Sequence, residues 1–275
     1  MNLSKLTPKQ QEIIRLIYRY RFITRKQIQS LLGHTDKRRI SAWLKELREQ
    51  QFVNWFYDRN DPYEPSTPAV YFLDINGIRF LRQTGEYAEG ELRKRYKDAT
   101  RQQGFIDRCL LLADCAVHLE ARTKDDGVNY TYALEADYTD PSGSFCMLGD
   151  SEFIHPDLAF TKEAETDEGY VNQTYFVQFF DLTMPRYMVK KKLKGYVEYF
   201  DSEEPEQWRQ QMDQEELPIV LVACPTLAEL IYAKRYAKKQ LQDNELDERE
   251  DVRIWFATIQ QVKRQGVTGL IWEDV

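Results

Sequence analysis

Apolar positions in the first fifty residues recur at helical spacing in three consecutive segments. Thr7-Pro8 supplies an N-cap and a first-turn proline, and the pattern that follows predicts a helix over 8–20. Thr24 is placed to cap a second, two-turn helix that ends at Gly33. A third helix is predicted over 36–50. We expect these helices to bury the following residues: Ile13, Ile14, Ile17, Tyr18, Ile28, Leu31, Leu32, Ile40, Trp43, Leu44 and Leu47.

Two aromatic and β-branched segments, 52–57 and 69–73, follow the third helix and predict strands joined by a polar turn over 58–68. Three helices and a hairpin predict a winged helix-turn-helix over residues 1–84. The pattern Tyr71-x-Leu73-x-x-x-Gly77-x-x-x-Leu81 resembles the end of the wing and the start of the next helix in bacterial winged-helix regulators. The resemblance implies that the first domain binds DNA.

The remainder of the chain predicts a helical connection and then a second domain. Residues 85–122 contain a charged segment and a helix over 103–121, which belongs either to the second domain or to a dimer interface. Strand-like and helix-like segments alternate over 123–275, which predicts an α/β domain and, for the whole chain, the fold class α+β/α/β. The predicted strands are 131–138, 145–148, 155–160, 174–181, 218–224 and 252–259, and the predicted helices are 184–200 and 227–242.

The charge of the chain is unevenly distributed. The net charge is −7, yet residues 1–55 carry 12 Lys and Arg against 4 Asp and Glu, while the remainder carries 26 against 41. Phosphate neutralisation depends on local positive charge, so a cationic N-terminal segment with an acidic remainder favours a double-stranded DNA partner.

Several other classes of protein do not fit the sequence. The mean hydropathy is −0.64, and neither a membrane-spanning apolar run nor an N-terminal secretory signal is recognisable, so we expect a cytoplasmic protein without a membrane partner. The four cysteines are widely spaced without a CxxC pair and are expected to be buried thiols. Glycine-rich nucleotide loops and HExxH are absent, and the three histidines are far apart in sequence. No cofactor is therefore expected.

The outer face of the third helix carries the predicted DNA-binding residues. Its basic side chains would enter the major groove and meet bases and phosphates, with Ser41 and Arg38 as the main base readers and His34 near a phosphate. Arg59 would lie near the tip of the wing. The candidate set is Lys37, Arg38, Arg39, Ser41, Ala42, Lys45, Arg48 and Arg59.

The second domain resembles a degenerate restriction-endonuclease-like core of the PD-(D/E)xK type. Pro156-Asp157 matches the first motif element, but the next strand reads Gln178-Phe179-Phe180 where the pattern has an acid and a lysine. A metal-dependent nuclease needs carboxylates for Mg²⁺ and a lysine for the water or the developing charge. Substitutes that would serve a divergent enzyme are Glu135, Asp181, Lys190, Lys191 and Lys192. The alternative is that Asp157 and Asp181 cap turns and that the lysines are solvated.

Over most of its length the chain resembles the replication-relaxation family of plasmids, phages and integrative elements. The matches are the N-terminal winged helix, Pro156-Asp157, Asp181-Leu182-Thr183 before a helix with Lys191, Lys192, Lys194 and Tyr196, and the closing 269–272. The resemblance implies a DNA-binding protein that assists replication or transfer or regulates transcription. Replication or transfer proteins and a second copy of the chain are then the expected partners besides duplex DNA.

We therefore predict a DNA-binding protein with a catalytically silent second domain. Two alternatives remain open at this point. One is a divergent nuclease or nickase that uses Mg²⁺ with Asp157, Glu135 or Asp181, and Lys190 or Lys192. The other is an adaptor whose winged helix binds only protein.

Overall fold

The chain is described by a computed structural model over residues 6–57, 68–125, 128–138, 145–166 and 169–275. It folds into two compact units, Met1–Val117 and His118–Val275. Arg59 and nearly all of the predicted polar turn lie outside the described residues.

The first unit begins with the three predicted helices. They are α1 (Pro8–Tyr20), α2 (Arg25–Leu31) and α3 (Lys37–Glu49), and each follows an N-cap whose side chain accepts from backbone N–H groups: Thr7, Thr24 and Asp36. These starts confirm the capping prediction, because the Thr and Asp oxygens satisfy donors that the first helical turn leaves unpaired. Leu31, Leu32 and Trp43, which were expected to be buried, are only half-buried.

A three-stranded antiparallel sheet accompanies these helices. The predicted strands are present as β2 (Val53–Phe56) and β3 (Val70–Leu73), and the two-residue strand β1 (Ile23–Thr24) pairs with β3, giving the order β1-β3-β2. The sequence pattern did not predict β1, because two residues are too short to show alternation. The unit continues with α4 (Ile75–Thr84), α5 (Glu89–Arg95), a 3₁₀ turn (Asp98–Thr100) and the first part of α6 (Gln103–Asp125).

The second unit contains a six-stranded mixed sheet with the strands in chain order. These are β4 (Asn129–Leu134), β5 (Leu158–Thr166), β6 (Gly169–Phe179), β7 (Ile219–Cys224), β8 (Ile254–Thr258) and β9 (Glu273–Asp274). The pairs β6–β7 and β7–β8 are parallel, and the other three are antiparallel. The prediction of a mixed α/β architecture is confirmed.

In the described part of this unit, five helices lie between the strands: α7 (Met147–Asp150), α8 (Arg186–Asp201), α9 (Glu204–Gln211), α10 (Leu227–Asp243) and α11 (Ile259–Gln265). The core of the unit is built from the sheet and from α8, α9 and α10, with Phe176, Tyr199 and Trp208 nearly fully buried. The prediction of a strand over 145–148 is wrong, since this short apolar segment leads into α7. Apolar runs of four residues do not distinguish a strand from a buried helical turn.

The parts of the chain that the structure describes contain no helix with both the length and the apolar character needed to cross a membrane. Cys109, Cys115 and Cys224 are buried as expected, whereas Cys146 is only half-buried.

Candidate functional site

The outer face of α3 presents a cluster of basic side chains to solvent. Asp36 caps the helix by accepting from the backbone N–H of Arg38 at 2.8 Å and of Arg39 at 3.4 Å. The inner face packs Ile40, Leu44 and Leu47 into the unit, which fixes the rotation of the helix. Six predicted residues are exposed as a consequence: Lys37, Arg38, Arg39, Ser41, Ala42 and Lys45.

Ser41 and Lys45 each have a polar partner within the helix itself. The Ser41 hydroxyl donates to the backbone oxygen of Lys37 at 3.0 Å, so its remaining capacity at this position is as an acceptor. The Lys45 ammonium lies 3.8 Å from a carboxylate oxygen of Glu49, in an exposed i,i+4 pair that constrains the lysine weakly. Both side chains therefore stay accessible to a ligand.

Arg48 differs from the other predicted residues because it lies against the sheet. Its guanidinium is 3.7 Å from the centroid of the Trp55 ring on β2, and the side chain is half-buried. Trp55 in turn contacts Tyr57 and Tyr71, with ring centroids 5.1 and 5.8 Å away. Arg48 thus joins the helix face to an aromatic surface of the sheet.

Sequence reasoning missed two residues of this surface, Arg25 and Trp55. Burial raises the pKa of Tyr71, and the charges of Arg48 and Arg25 oppose that rise, which places both guanidinium groups near the same phenol. Arg25 is the first residue of α2, where Thr24 already indicated a helix start. The sequence signal for Arg25 was its basic side chain directly after a predicted N-cap.

His34 and Trp43 form the other end of the same face. Their rings lie 5.3 Å apart in an edge-to-face arrangement, and the Arg39 guanidinium is 5.6 Å from the Trp43 centroid. His34 Nδ1 accepts from the backbone N–H of Asp36 at 3.1 Å, which orients the ring just before α3. Trp43 was assigned to the core, but its half-exposed ring is held between these two residues.

In the second unit, Asp157 and Gln178 form a buried polar cluster between β5 and β6. Asp157 Oδ2 accepts from the backbone N–H of Phe179 at 2.7 Å and from Gln178 Nε2 at 2.5 Å. Gln178 Oε1 accepts from Lys192 Nζ on α8 at 2.9 Å, and the Tyr196 hydroxyl lies 3.5 Å away. Asp157 is 7% exposed and Gln178 is 1% exposed. The amide therefore bridges the carboxylate and the ammonium group.

The structure brings Asp157 and Lys192 together through Gln178, and it places the other candidate groups differently. Asp181 caps a turn, accepting from the backbone N–H of Thr183 at 2.8 Å. Glu135 is exposed in a 3₁₀ turn after β4, and Lys190 is exposed with its ammonium 5.5 Å from the Tyr236 centroid. Lys191 is also exposed.

The cluster around Asp157 does not fit a divalent cation. Mg²⁺ takes oxygen ligands from carboxylates, carbonyls and water, yet the Gln178 oxygen already accepts from Lys192 and its nitrogen faces Asp157. Among the described residues, no group of three or more His, Cys, Asp and Glu side chains is arranged to hold a metal ion. The arrangement is that of a closed hydrogen-bond network.

Comparison with known proteins gives one family match. A family model described as replication-relaxation matches residues 14–213, which is more than half of the chain. No curated protein matches the sequence. Among solved structures, the restriction endonuclease FokI is similar at 13% identity with a TM-score of 0.32; the match covers 94% of this chain and 43% of that chain.

Proposed function

The chain belongs to the replication-relaxation family, and from this premise we propose that it binds duplex DNA. The proposed role is to assist the replication or transfer of a plasmid or other mobile element, or to regulate its transcription. The first unit would make the DNA contacts. The protein would act by positioning itself and its partners on DNA, without breaking covalent bonds.

The order of elements in the first unit supports a winged helix-turn-helix. Three helices are followed by β2 and β3, and β1 between α1 and α2 completes an antiparallel sheet. In this class of domain the third helix enters the major groove and the hairpin contacts the flanking backbone. Under this interpretation α3 is the recognition helix.

The exposed basic face of α3 is the observation that carries the proposal. Lys37, Arg38, Arg39 and Lys45 project from one element, and no acid occurs between Lys37 and Lys45. Asp36 is engaged as the N-cap, and the two acids of the helix, Glu46 and Glu49, lie in its last turn. On a helix whose charged face serves only solubility, acidic and basic residues usually alternate. Arginine and lysine at these positions are the side chains that pair with phosphates and with guanine edges.

Arg48 would make its phosphate contact from a fixed position. Stacking on Trp55 restricts the rotamers of the guanidinium before DNA arrives, so less entropy is lost on binding than for a free arginine. Arg25, whose charge acts on the same Tyr71 phenol, would contact the adjacent backbone. Trp55 would then hold the Arg48 guanidinium in place for a phosphate group.

The direct test is fluorescence anisotropy with a labelled duplex over a range of salt concentrations. Each phosphate contact contributes about −0.9 to the slope of log Kobs against log[salt]. The double variant Arg38→Ala plus Lys45→Ala should therefore make the slope shallower by about 1.8 and weaken binding to every sequence. The matched control, Lys238→Ala plus Lys239→Ala, removes two exposed cations from α10 and should leave both quantities unchanged.

Equal losses in the two double variants would mean that only net charge matters, which would refute α3 as the contact surface. Absence of binding to every duplex tested at low salt would refute DNA binding and favour an adaptor that recognises protein. Circular dichroism of each variant excludes unfolding as the cause of a loss.

For the second unit we propose a partner-binding or dimerising role without catalysis. The support is the Asp157–Gln178–Lys192 network, in which each polar group already has a protein partner. Its groups would need to rearrange before they could bind a metal ion or a water for hydrolysis. Sedimentation of the intact protein with and without duplex measures the dimer component of this proposal.

A divergent nuclease is the second candidate function, because Asp157 and Lys192 do meet at one amide. It is tested by incubating supercoiled plasmid with the protein and Mg²⁺ or Mn²⁺. Cleavage that persists through purification and is lost in Asp157→Asn, with folding retained, would replace the non-catalytic proposal. Cleavage that is unchanged in this variant would indicate a contaminating nuclease.

A further inference from the structure

One buried carboxylate in the first unit lies against two arginines, two further arginines lie close to them, and all four belong to elements other than α3. Arg21 directly follows α1, Arg95 ends α5, Arg101 precedes α6, and Arg108 lies in its second turn. Asp98, in the 3₁₀ turn between α5 and α6, is fully buried and pairs with Arg21, while Arg101 Nε lies 3.8 Å from the same Asp98 oxygen. We call Arg21, Arg95, Arg101 and Arg108 the arginine cluster.

Three of these guanidinium groups lie around one aromatic ring, that of Phe105. The distances from the Phe105 centroid to the guanidinium carbons of Arg21, Arg101 and Arg108 are 4.6, 5.0 and 5.1 Å. Each pair of these cations is therefore no more than about 10 Å apart, which is within one Debye length at 0.1 M salt. Cation–π contacts hold the charges close together although the charges repel each other.

Arg95 extends this excess of positive charge into the interior. The residue is 4% exposed, and its guanidinium lies 4.7 Å from the centroid of the Tyr18 ring. Burial and the nearby charge of Arg21 lower the pKa of Arg95, so its charged form is poorly compensated. Buried guanidinium groups are normally paired with an anion.

Hydrogen bonding within the cluster is also incomplete. The Nε donors of Arg21, Arg95 and Arg101 are buried and have no hydrogen-bond acceptor among the described residues. Asp98 Oδ2 is buried without a donor in the same part of the chain. One carboxylate therefore pairs with more than one guanidinium group, and three donors of the cluster lack an acceptor within the described ranges.

We propose that the arginine cluster binds a phosphate group. A tetrahedral oxyanion supplies several acceptor oxygens and negative charge, and arginine is the side chain best suited to pair with it. Hydrogen phosphate or a phosphomonoester also carries a hydroxyl that can donate to Asp98. Arg101 and Arg108 are only half-buried, so part of the cluster is in contact with solvent.

Two sources provide this chemistry: a phosphate of the nucleic-acid backbone, and a free phosphate or phosphorylated small molecule. The site does not depend on α3, so it is tested separately from the proposed function. Inorganic phosphate is the probe for the free anion, and an unphosphorylated duplex is the probe for the backbone.

The first measurement needs no variant. In ¹⁵N–¹H spectra of the intact protein, inorganic phosphate should shift the arginine side-chain N–H signals saturably, while chloride at equal ionic strength should not. Phosphate at tenfold its dissociation constant should also raise Tm by about 3 °C beyond the effect of chloride. If neither response differs between phosphate and chloride, and the duplex result below is negative too, the proposal is overturned.

The variants then locate the site and identify the source. Arg95→Gln and Arg101→Gln should each abolish the phosphate-specific rise in Tm, whereas Arg93→Gln should retain it. Arg93 provides a matched control because it lies on α5 with its side chain 76% exposed and paired with Glu89. If Arg95→Gln fails to fold, Arg101→Gln, with a side chain 33% exposed, still decides the result. Retention of the rise in Arg101→Gln and in folded Arg95→Gln would overturn the assignment.

The measurement of duplex binding uses the same variants. If the natural ligand is a backbone phosphate, Arg101→Gln should reduce the salt slope for duplex binding by about 1 and Arg93→Gln should not. An unchanged slope together with a lost phosphate response identifies the free anion as the ligand. An α3 variant that loses DNA but keeps the phosphate response would show that the proposed function and this site are independent.

Discussion

Replacing Asp157 should destabilise the second unit far more than replacing Asp181, although both acids lie at the ends of strands in this sheet. Asp157→Ala removes the acceptor of two buried donors, the Phe179 backbone N–H and Gln178 Nε2. A buried donor without an acceptor costs about 1–3 kcal/mol, so we expect a loss of about 4 kcal/mol in the free energy of unfolding. Asp181→Ala removes a turn cap near the surface and should cost about 1 kcal/mol.

The hydrogen bonds make a second prediction, for Asp157→Asn. Asp157 Oδ2 accepts from both the Phe179 backbone N–H and Gln178 Nε2. An asparagine oxygen in the same place keeps both bonds, and only the contribution of the carboxylate charge to them is lost. We therefore expect Asp157→Asn to cost about 2 kcal/mol, well below the loss in Asp157→Ala.

The assay is urea unfolding of the intact protein, followed by far-UV circular dichroism, with hydrogen exchange of β5 and β6 to assign the transition to the second unit. With a slope m of about 2 kcal/mol/M, the expected midpoint shift is about 2 M for Asp157→Ala and about 0.5 M for Asp181→Ala. Equal shifts for the two alanine variants would refute the reasoning that the Asp157 cluster is a closed structural network. A loss in Asp157→Asn as large as that in Asp157→Ala would refute the assignment of both bonds to Asp157 Oδ2.

Three further predictions follow from local geometry. Gly77→Ala should destabilise the first unit by about 2–3 kcal/mol in thermal unfolding, because a Cβ there would lie 2.2 Å from the Phe52 backbone oxygen; an unchanged Tm would contradict this packing. Thr24→Ala should cost about 1 kcal/mol by the same measurement, since it removes the N-cap oxygen of α2, and a loss below about 0.3 kcal/mol would argue against the cap. Burial raises the pKa of Cys224 to about 12, so a thiol reagent at pH 8 should label half-buried Cys146 much faster in the native protein, and equal rates would indicate local opening.

The replication-relaxation family and the helices of the first unit could be predicted from the sequence because their signals are local. Thr7, Thr24 and Asp36 mark helix starts by chemistry that involves only the next three residues. The basic face of α3 likewise follows from helical period and from the apolar residues that the helix must bury. Gly77 was recognised only as part of a pattern, and the close approach of the Phe52 carbonyl supplies its physical reason.

Other features depended on contacts between residues far apart in the chain. The strand β1 forms because it pairs with β3. The helical turn at 147–150 is determined by packing rather than by the apolar pattern of residues 145–148. In the sequence, Gln178 stands where the nuclease pattern has an acid. Only the tertiary structure shows that its amide connects Asp157 to Lys192. The arginine cluster combines residues from positions 21 to 108, and sequence spacing carries no information about which of them share one aromatic ring. Local capping and periodicity thus determine the helices. Long-range packing determines which polar groups contact each other, because residues far apart in the chain come together only in the complete fold.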